Sequence, residues 1–126
     1  MKKLTAQEEE AMLIIWKTGE GCVKDYLDNY TEPRPPYTTL ASVVKNIEKK
    51  NFINSRKIGN VYLYQPKITQ EEYQQAMMSG VVKDYFRDSY KELVTFFAKE
   101  QKISSEELKD IIRLIETKTK ANTSKP

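Results

Sequence analysis

The chain contains no histidine and one cysteine, Cys22, among its 126 residues. Without histidine no plausible structural zinc set can be assembled, and catalysis lacks its usual general base. A lone cysteine cannot close an intramolecular disulfide. Glycine is scarce, at four residues, and nowhere forms a phosphate-cradling loop. No pair of carboxylates stands out as convergent, so an enzyme is the weakest reading, and neither metal nor cofactor is expected. No apolar run approaches bilayer length, and Met1-Lys2-Lys3-Leu4 followed by Thr5 lacks the apolar core of a signal peptide. A cytoplasmic protein without membrane insertion is the expectation.

What is present centres on the segment from Tyr37 to Lys50. Leu40, Val43, Val44 and Ile47 recur at i, i+3, i+4 and i+7, which places one apolar stripe along a helix. The opposite side carries Thr38, Ser42, Lys45, Asn46 and Lys49, with only Glu48 on its flank for negative charge. Two alternating runs follow, Phe52 to Arg56 and Val61 to Gln65, joined by Ile58-Gly59-Asn60, residues suited to a hairpin turn. Net charge is only +3, but Arg34, Lys45, Lys49, Lys50, Arg56, Lys57 and Lys67 face one acid, Glu48, between residues 34 and 67. That segment therefore carries +6 and the remainder −3. A hydroxyl-rich, acid-poor helix followed by a basic hairpin can oppose phosphate.

Upstream, Thr5 and Glu8 form a capping-box pattern ahead of Met12, Leu13, Ile15 and Trp16, which predicts a helix from Ala6 to about Lys17, stopped by Gly19 and Gly21. Val23, Tyr26, Leu27 and Tyr30 predict a second helix, ended by Pro33-Arg34-Pro35-Pro36. Trp16 belongs to the core. Tyr62 and Tyr64, which could stack on bases, more often pack on the third helix or line the domain interface in such an arrangement, and Cys22 reads as a small, partly buried thiol. Helix, helix, polar-faced helix and hairpin is the order of a winged helix-turn-helix.

Beyond Pro66, Thr69 with Glu72, Ser89 with Glu92 and Ser104 with Glu107 each precede an apolar-periodic run. Three helices are expected. Tyr73, Met77, Leu93, Phe96, Phe97, Leu108, Ile111, Ile112 and Ile115 are their dimerisation candidates, because so much apolar surface on short helices asks for a partner, most simply a second copy. The fold class is mainly α with a small β-hairpin wing. Residues 1–68 form the winged-helix domain, 69–118 a helical dimerisation region, and 119–126 a tail with nothing to bury, expected to be disordered.

The runs LTAQEEEAMLIIWKTGEGCVKDYLDNY and PYTTLASVVKNIEKKNFINSRKIGNVYLYQPKI resemble the penicillinase-repressor family, the BlaI/MecI/CopY group of bacterial repressors, from Leu4 to about Ile115. The most specific points are Leu4-Thr5 with Glu8 or Glu9 and Trp16, Thr39-Leu40 with Lys50, and Val61-Tyr62-Leu63-Tyr64. The resemblance implies a homodimeric repressor of double-stranded, pseudo-palindromic operators, with the third helix in the major groove and the wing on the backbone. It places Tyr37, Thr38, Thr39 and Ser42 at the start of the recognition helix and Lys45 and Asn46 further along, with Arg56 and Lys57 at the wing tip opposite phosphate; Lys49 is a DNA-binding candidate from the polar face of the helix alone. The family commonly has arginine where Asn46 stands and glycine where Asn51 stands.

The family's copper-responsive branch ends in clustered cysteines, which this chain lacks. Its β-lactam-responsive branch, a regulator of antibiotic resistance, is relieved when a membrane sensor protease cuts an Asn-Phe bond. The matching pair here is Phe96-Phe97, which keeps the phenylalanine after the cut but not the asparagine before it, and dimer core is the favoured reading of both. A competing reading from a different class is a winged-helix protein-interaction module that does not bind DNA specifically.

Overall fold

A computed structural model describes the backbone of residues 1–123 and the side chains of residues 1–118. The described chain forms two compact units, divided after Met77.

In the first unit, α1 (Ala6–Thr18) opens on Thr5 with a reciprocal capping box. The Thr5 hydroxyl accepts from the Glu8 amide and the Glu8 carboxylate accepts from the Thr5 amide. Gly19, at φ 84°, closes it. The second helix, α2 (Val23–Asp28), is shorter than its apolar spacing predicts. Its last turn tightens as the Asn29 and Tyr30 amides donate three residues back to the Tyr26 and Leu27 carbonyls.

The third helix, α3 (Tyr37–Lys49), buries Leu40, Val44 and Ile47 completely, while Val43 packs at the edge of the core. Asn51, just past its end, adopts φ 67°. The hairpin of β1 (Ile53–Ile58) and β2 (Val61–Pro66) is antiparallel, with Ile58 opposite Val61 across Gly59-Asn60. The strands therefore extend two residues closer to the turn than expected on the β1 side, and Phe52 precedes β1 as a fully buried core residue. Gly21 adds a third, single-residue rung: its amide donates to the Tyr64 carbonyl at 3.0 Å and its carbonyl accepts the Tyr64 amide at 2.8 Å. Tyr26 closes the same corner, its single phenol proton shared between the Gly19 and Tyr64 carbonyls, at 2.9 and 3.0 Å.

Tyr73 corrects one sequence expectation. It sits on α4 (Gln70–Tyr85), yet its ring is buried in the core of the first unit, 5.4 Å from Trp16 and 5.7 Å from Phe52, and its phenol donates to Glu9. Burial, and then Glu9, push its pKa up to about 12. Trp16 helps hold this helix start by donating from Nε1 to the Ile68 carbonyl at 2.8 Å. The first turns of α4 thus complete the winged domain, and Tyr73 is not on a free interface. This is why the units divide after Met77 rather than at residue 68.

The second unit continues along α4 and adds α5 (Tyr90–Lys99) and α6 (Ser105–Thr123). Ser104 and Glu107 form a reciprocal box at the head of α6, whereas at α5 Ser89 accepts from the Glu92 amide. Val82 is fully buried, and Phe86 meets Phe96 edge-on at 5.6 Å. The backbone of α6 runs on through residues assigned from sequence to a disordered tail. Lysine and alanine are good helix formers, so nothing stops the helix at its last apolar residue. Residues 124–126 of that expected tail lie outside the described residues.

Candidate nucleic-acid interface

The amphipathic period of α3 dictates which of its side chains are available. With Leu40, Val44 and Ile47 turned inward, Tyr37, Thr38, Thr39, Ser42, Lys45, Asn46 and Lys49 are all exposed. The structure thus brings six of them, Thr38, Thr39, Ser42, Lys45, Asn46 and Lys49, onto one face about a third of a turn wide, while Tyr37 is exposed at the helix start beside the apolar stripe. Pro36 precedes the helix and, among the described residues, no side chain caps it, so the positive end of the helix dipole is without a side-chain partner there.

The cations sort into two groups. Arg34 lies 3.7 Å from Asp28 and 3.4 Å from Glu32, Lys50 pairs with the buried Glu8, and Arg56 pairs with Glu20 at 3.0 Å. Among the described residues no carboxylate lies within ion-pair distance of Lys45, Lys49, Lys57 or Lys67. The basic stripe open to a ligand is therefore narrower than the linear count of seven cations implies. Glu48, the one acid of the segment, accepts a hydrogen bond from the Ser55 hydroxyl and so ties the end of α3 to β1.

The hairpin does not place its cations where the sequence suggested. Arg56 and Lys57 are not at the tip, which is Gly59-Asn60; they lie on β1 opposite Leu63 and Tyr62. Adjacent strand residues point to opposite faces, so the two cations diverge. Ile53, Ser55 and Lys57 share a face with Tyr62 and Tyr64, of which Ile53 and Tyr64 are buried and Ser55 reaches α3. Asn54, Arg56 and Ile58 share the other with Val61, Leu63 and Gln65. Lys57 Nζ stands 5.6 Å from the centroid of the half-exposed Tyr62 ring. Burial pushes the Tyr64 phenol pKa up, and Glu48, Tyr37 and Tyr62 add to the rise.

The sequence held no local signal for the pairing of Arg56 with Glu20, or of Lys50 with Glu8, because these partners are 36 and 42 residues apart and meet only through the fold. The dimerisation candidates of the second unit divide by exposure. Phe96, Phe97, Ile111, Ile112 and Ile115 are exposed, Leu93 and Leu108 are half-buried, and Met77, at the end of the first unit, is also exposed. Among the described residues no group of His, Cys, Asp and Glu is arranged to hold a metal, and no helix is long and apolar enough to cross a membrane.

Comparison with known proteins gives a family model described as "Penicillinase repressor", which matches residues 4–117. The penicillinase repressor of Bacillus licheniformis is 22% identical over 120 residues, covering 92% of this chain and 94% of that protein. Among solved structures, a mutant of Lactococcus lactis ZitR aligns with a TM-score of 0.44 at 17% identity, over 95% of this chain and 76% of that one. The apo form of the same mutant gives 0.41 at 16% identity, over 92% and 82%.

Proposed function

The chain belongs to the penicillinase repressor family, which makes it a repressor-type transcriptional regulator and not an enzyme, and from that premise we propose how it represses. Two copies bind a pseudo-palindromic operator in the cytoplasm. Each lays α3 in the major groove, with Thr38, Thr39 and Ser42 at base edges or flanking phosphates and with Lys45 and Lys49 opposite phosphates. The wing lies on the backbone. The observation that carries this reading is the α3 surface: seven exposed polar or aromatic side chains with two lysines that no acid neutralises among the described residues. A phosphate backbone supplies the missing negative charge.

The apolar side chains exposed on α5 and α6 support self-association as the source of the second half-site reader. Phe96 and Phe97 lie in the last turn of α5, still within the helix and in edge-on contact with each other at 5.4 Å. A protease needs an extended strand, so a dimer contact suits this pair better than a cut site, and relief by a sensor protease requires that α5 first unwind.

The test is a fluorescence-anisotropy titration onto the duplex upstream of the protein's own gene, against scrambled duplex of equal length, at several salt concentrations. A preference of about a thousandfold or more with a steep salt slope is the expected result. Equal weak binding to both duplexes would favour a protein-interaction module, and absence of binding at low salt would sink the DNA reading.

A further inference from the structure

The two faces of the wing differ in what they can offer a duplex. On one face Arg56 is held by Glu20 through two hydrogen bonds, at 3.0 and 3.3 Å, and the end near the turn is Ile58 opposite Val61, both about half exposed and without a polar side-chain atom. On the other, Ser55 anchors to Glu48 of α3, so this face turns toward the recognition helix, and its outer end is Lys57 opposite Tyr62. Lys57 has no carboxylate partner among the described residues, and Tyr62 is 50% exposed. The phenol of Tyr62 keeps no protein hydrogen-bond partner among the described residues.

Resting on the reading that α3 and the wing meet a duplex, we propose that the wing contacts DNA through Lys57 and Tyr62 and that Arg56 takes no part. Lys57 neutralises one backbone phosphate, and the Tyr62 O–H donates to a phosphate oxygen beside it. The Tyr62 ring, with the ammonium 5.6 Å from its centroid, keeps the lysine on the face shared with α3. Arg56 instead braces the hairpin against the loop that carries Glu20. The wing contact is therefore one cation and one neutral donor, which position the protein without reading sequence.

The experiment compares the full-length protein with Lys57→Ala, Tyr62→Phe and Arg56→Ala on native and scrambled duplexes across a salt series, with a thermal melt of each variant to establish that it is folded. Lys57→Ala should weaken binding to both duplexes alike and reduce the magnitude of the log–log salt slope by about one per protomer. Tyr62→Phe keeps the ring and loses the donor, so it should weaken both by roughly two- to tenfold per half-site with the slope unchanged. Arg56→Ala should leave the slope as it is. A slope lowered by Arg56→Ala but not by Lys57→Ala, or Tyr62→Phe binding like the unsubstituted protein, overturns this assignment while leaving the repressor reading intact. Failure of the unsubstituted protein to bind any duplex overturns both.

Discussion

At the scale of single residues, the first unit depends on a charge it has taken out of water. Glu8 is 5% exposed, and its carboxylate caps Thr5 while pairing with Lys50, whose ammonium also donates to the Lys3 carbonyl. Burial alone would raise the Glu8 pKa. Lys50 and the Thr5 groups outweigh it, so the folded value lies below the ordinary 4.5. The sign follows from linkage: the contribution is fully present above the unfolded carboxylate pKa and is lost as pH falls through the lower folded value. Urea melts between about pH 6 and pH 3 should show stability falling across this window, and Glu8→Gln should flatten that fall. Lys50→Ala strands a buried carboxylate and should cost about 2 kcal/mol at neutral pH, more than Glu8→Gln combined with Lys50→Met, which leaves no uncompensated charge. Asn51 makes the opposite case. Its φ of 67° is a left-handed conformation that asparagine tolerates and glycine adopts without strain. Asn51→Gly should stabilise or be neutral, and Asn51→Val should cost about 1–2 kcal/mol in the same melts.

At the scale of elements, the sheet rather than the helices holds the least obvious dependence. Gly21 forms its rung with Tyr64 where an added Cβ would come 3.1 Å from the Asp25 side chain and 3.3 Å from the Tyr26 ring. Gly21→Ala therefore asks the Asp25 side chain and the Tyr26 ring to give by a few tenths of an ångström, and a loss of about 1–3 kcal/mol is expected by denaturant melt. Gly19→Ala instead meets open space and is resisted only by its φ of 84°. The sequence foretold α1 and α3 well because each combines a start signal or a proline boundary with an unbroken apolar period, and by the same signals it found the head of α6 but not its end. The exposed face of α3 followed directly, since burying Leu40, Val44 and Ile47 leaves its polar residues nowhere else to go. Long-range closure was not legible. Nothing near Gly21 marks it as a strand, nothing near Arg56 announces Glu20, and the period of α4 cannot say that Tyr73 packs on Trp16 and Phe52 rather than on a partner. These outcomes depend on which surfaces the fold brings together, whereas helix period is local.

At the scale of the whole molecule, the apolar stripe of α6 is the surface that asks for a partner. Ile111, Ile112 and Ile115 are 40%, 52% and 58% exposed, in a chain of 14.7 kDa with no wide excess of charge to keep such surface apart. If a second copy covers it, each buried isoleucine contributes roughly 1.5–3 kcal/mol, and placing charges there should be costly. The double change Ile112→Glu with Ile115→Glu alters four buried positions in a dimer and should weaken association by at least about a hundredfold, read by sedimentation equilibrium. Thr117→Glu is the matched control. It is exposed on α6 but lies on roughly the opposite side of the helix from the stripe, so it should leave association nearly unchanged. Operator affinity should fall with the double change and not with the control, because two linked readers gain from effective concentration what one reader lacks. An unsubstituted protein that stays monomeric at about 100 µM, far above the affinity such an interface implies, and still binds a full operator no more tightly than a half-site would remove the dimer from the mechanism. Specificity would then rest on α3 and the wing of a single chain.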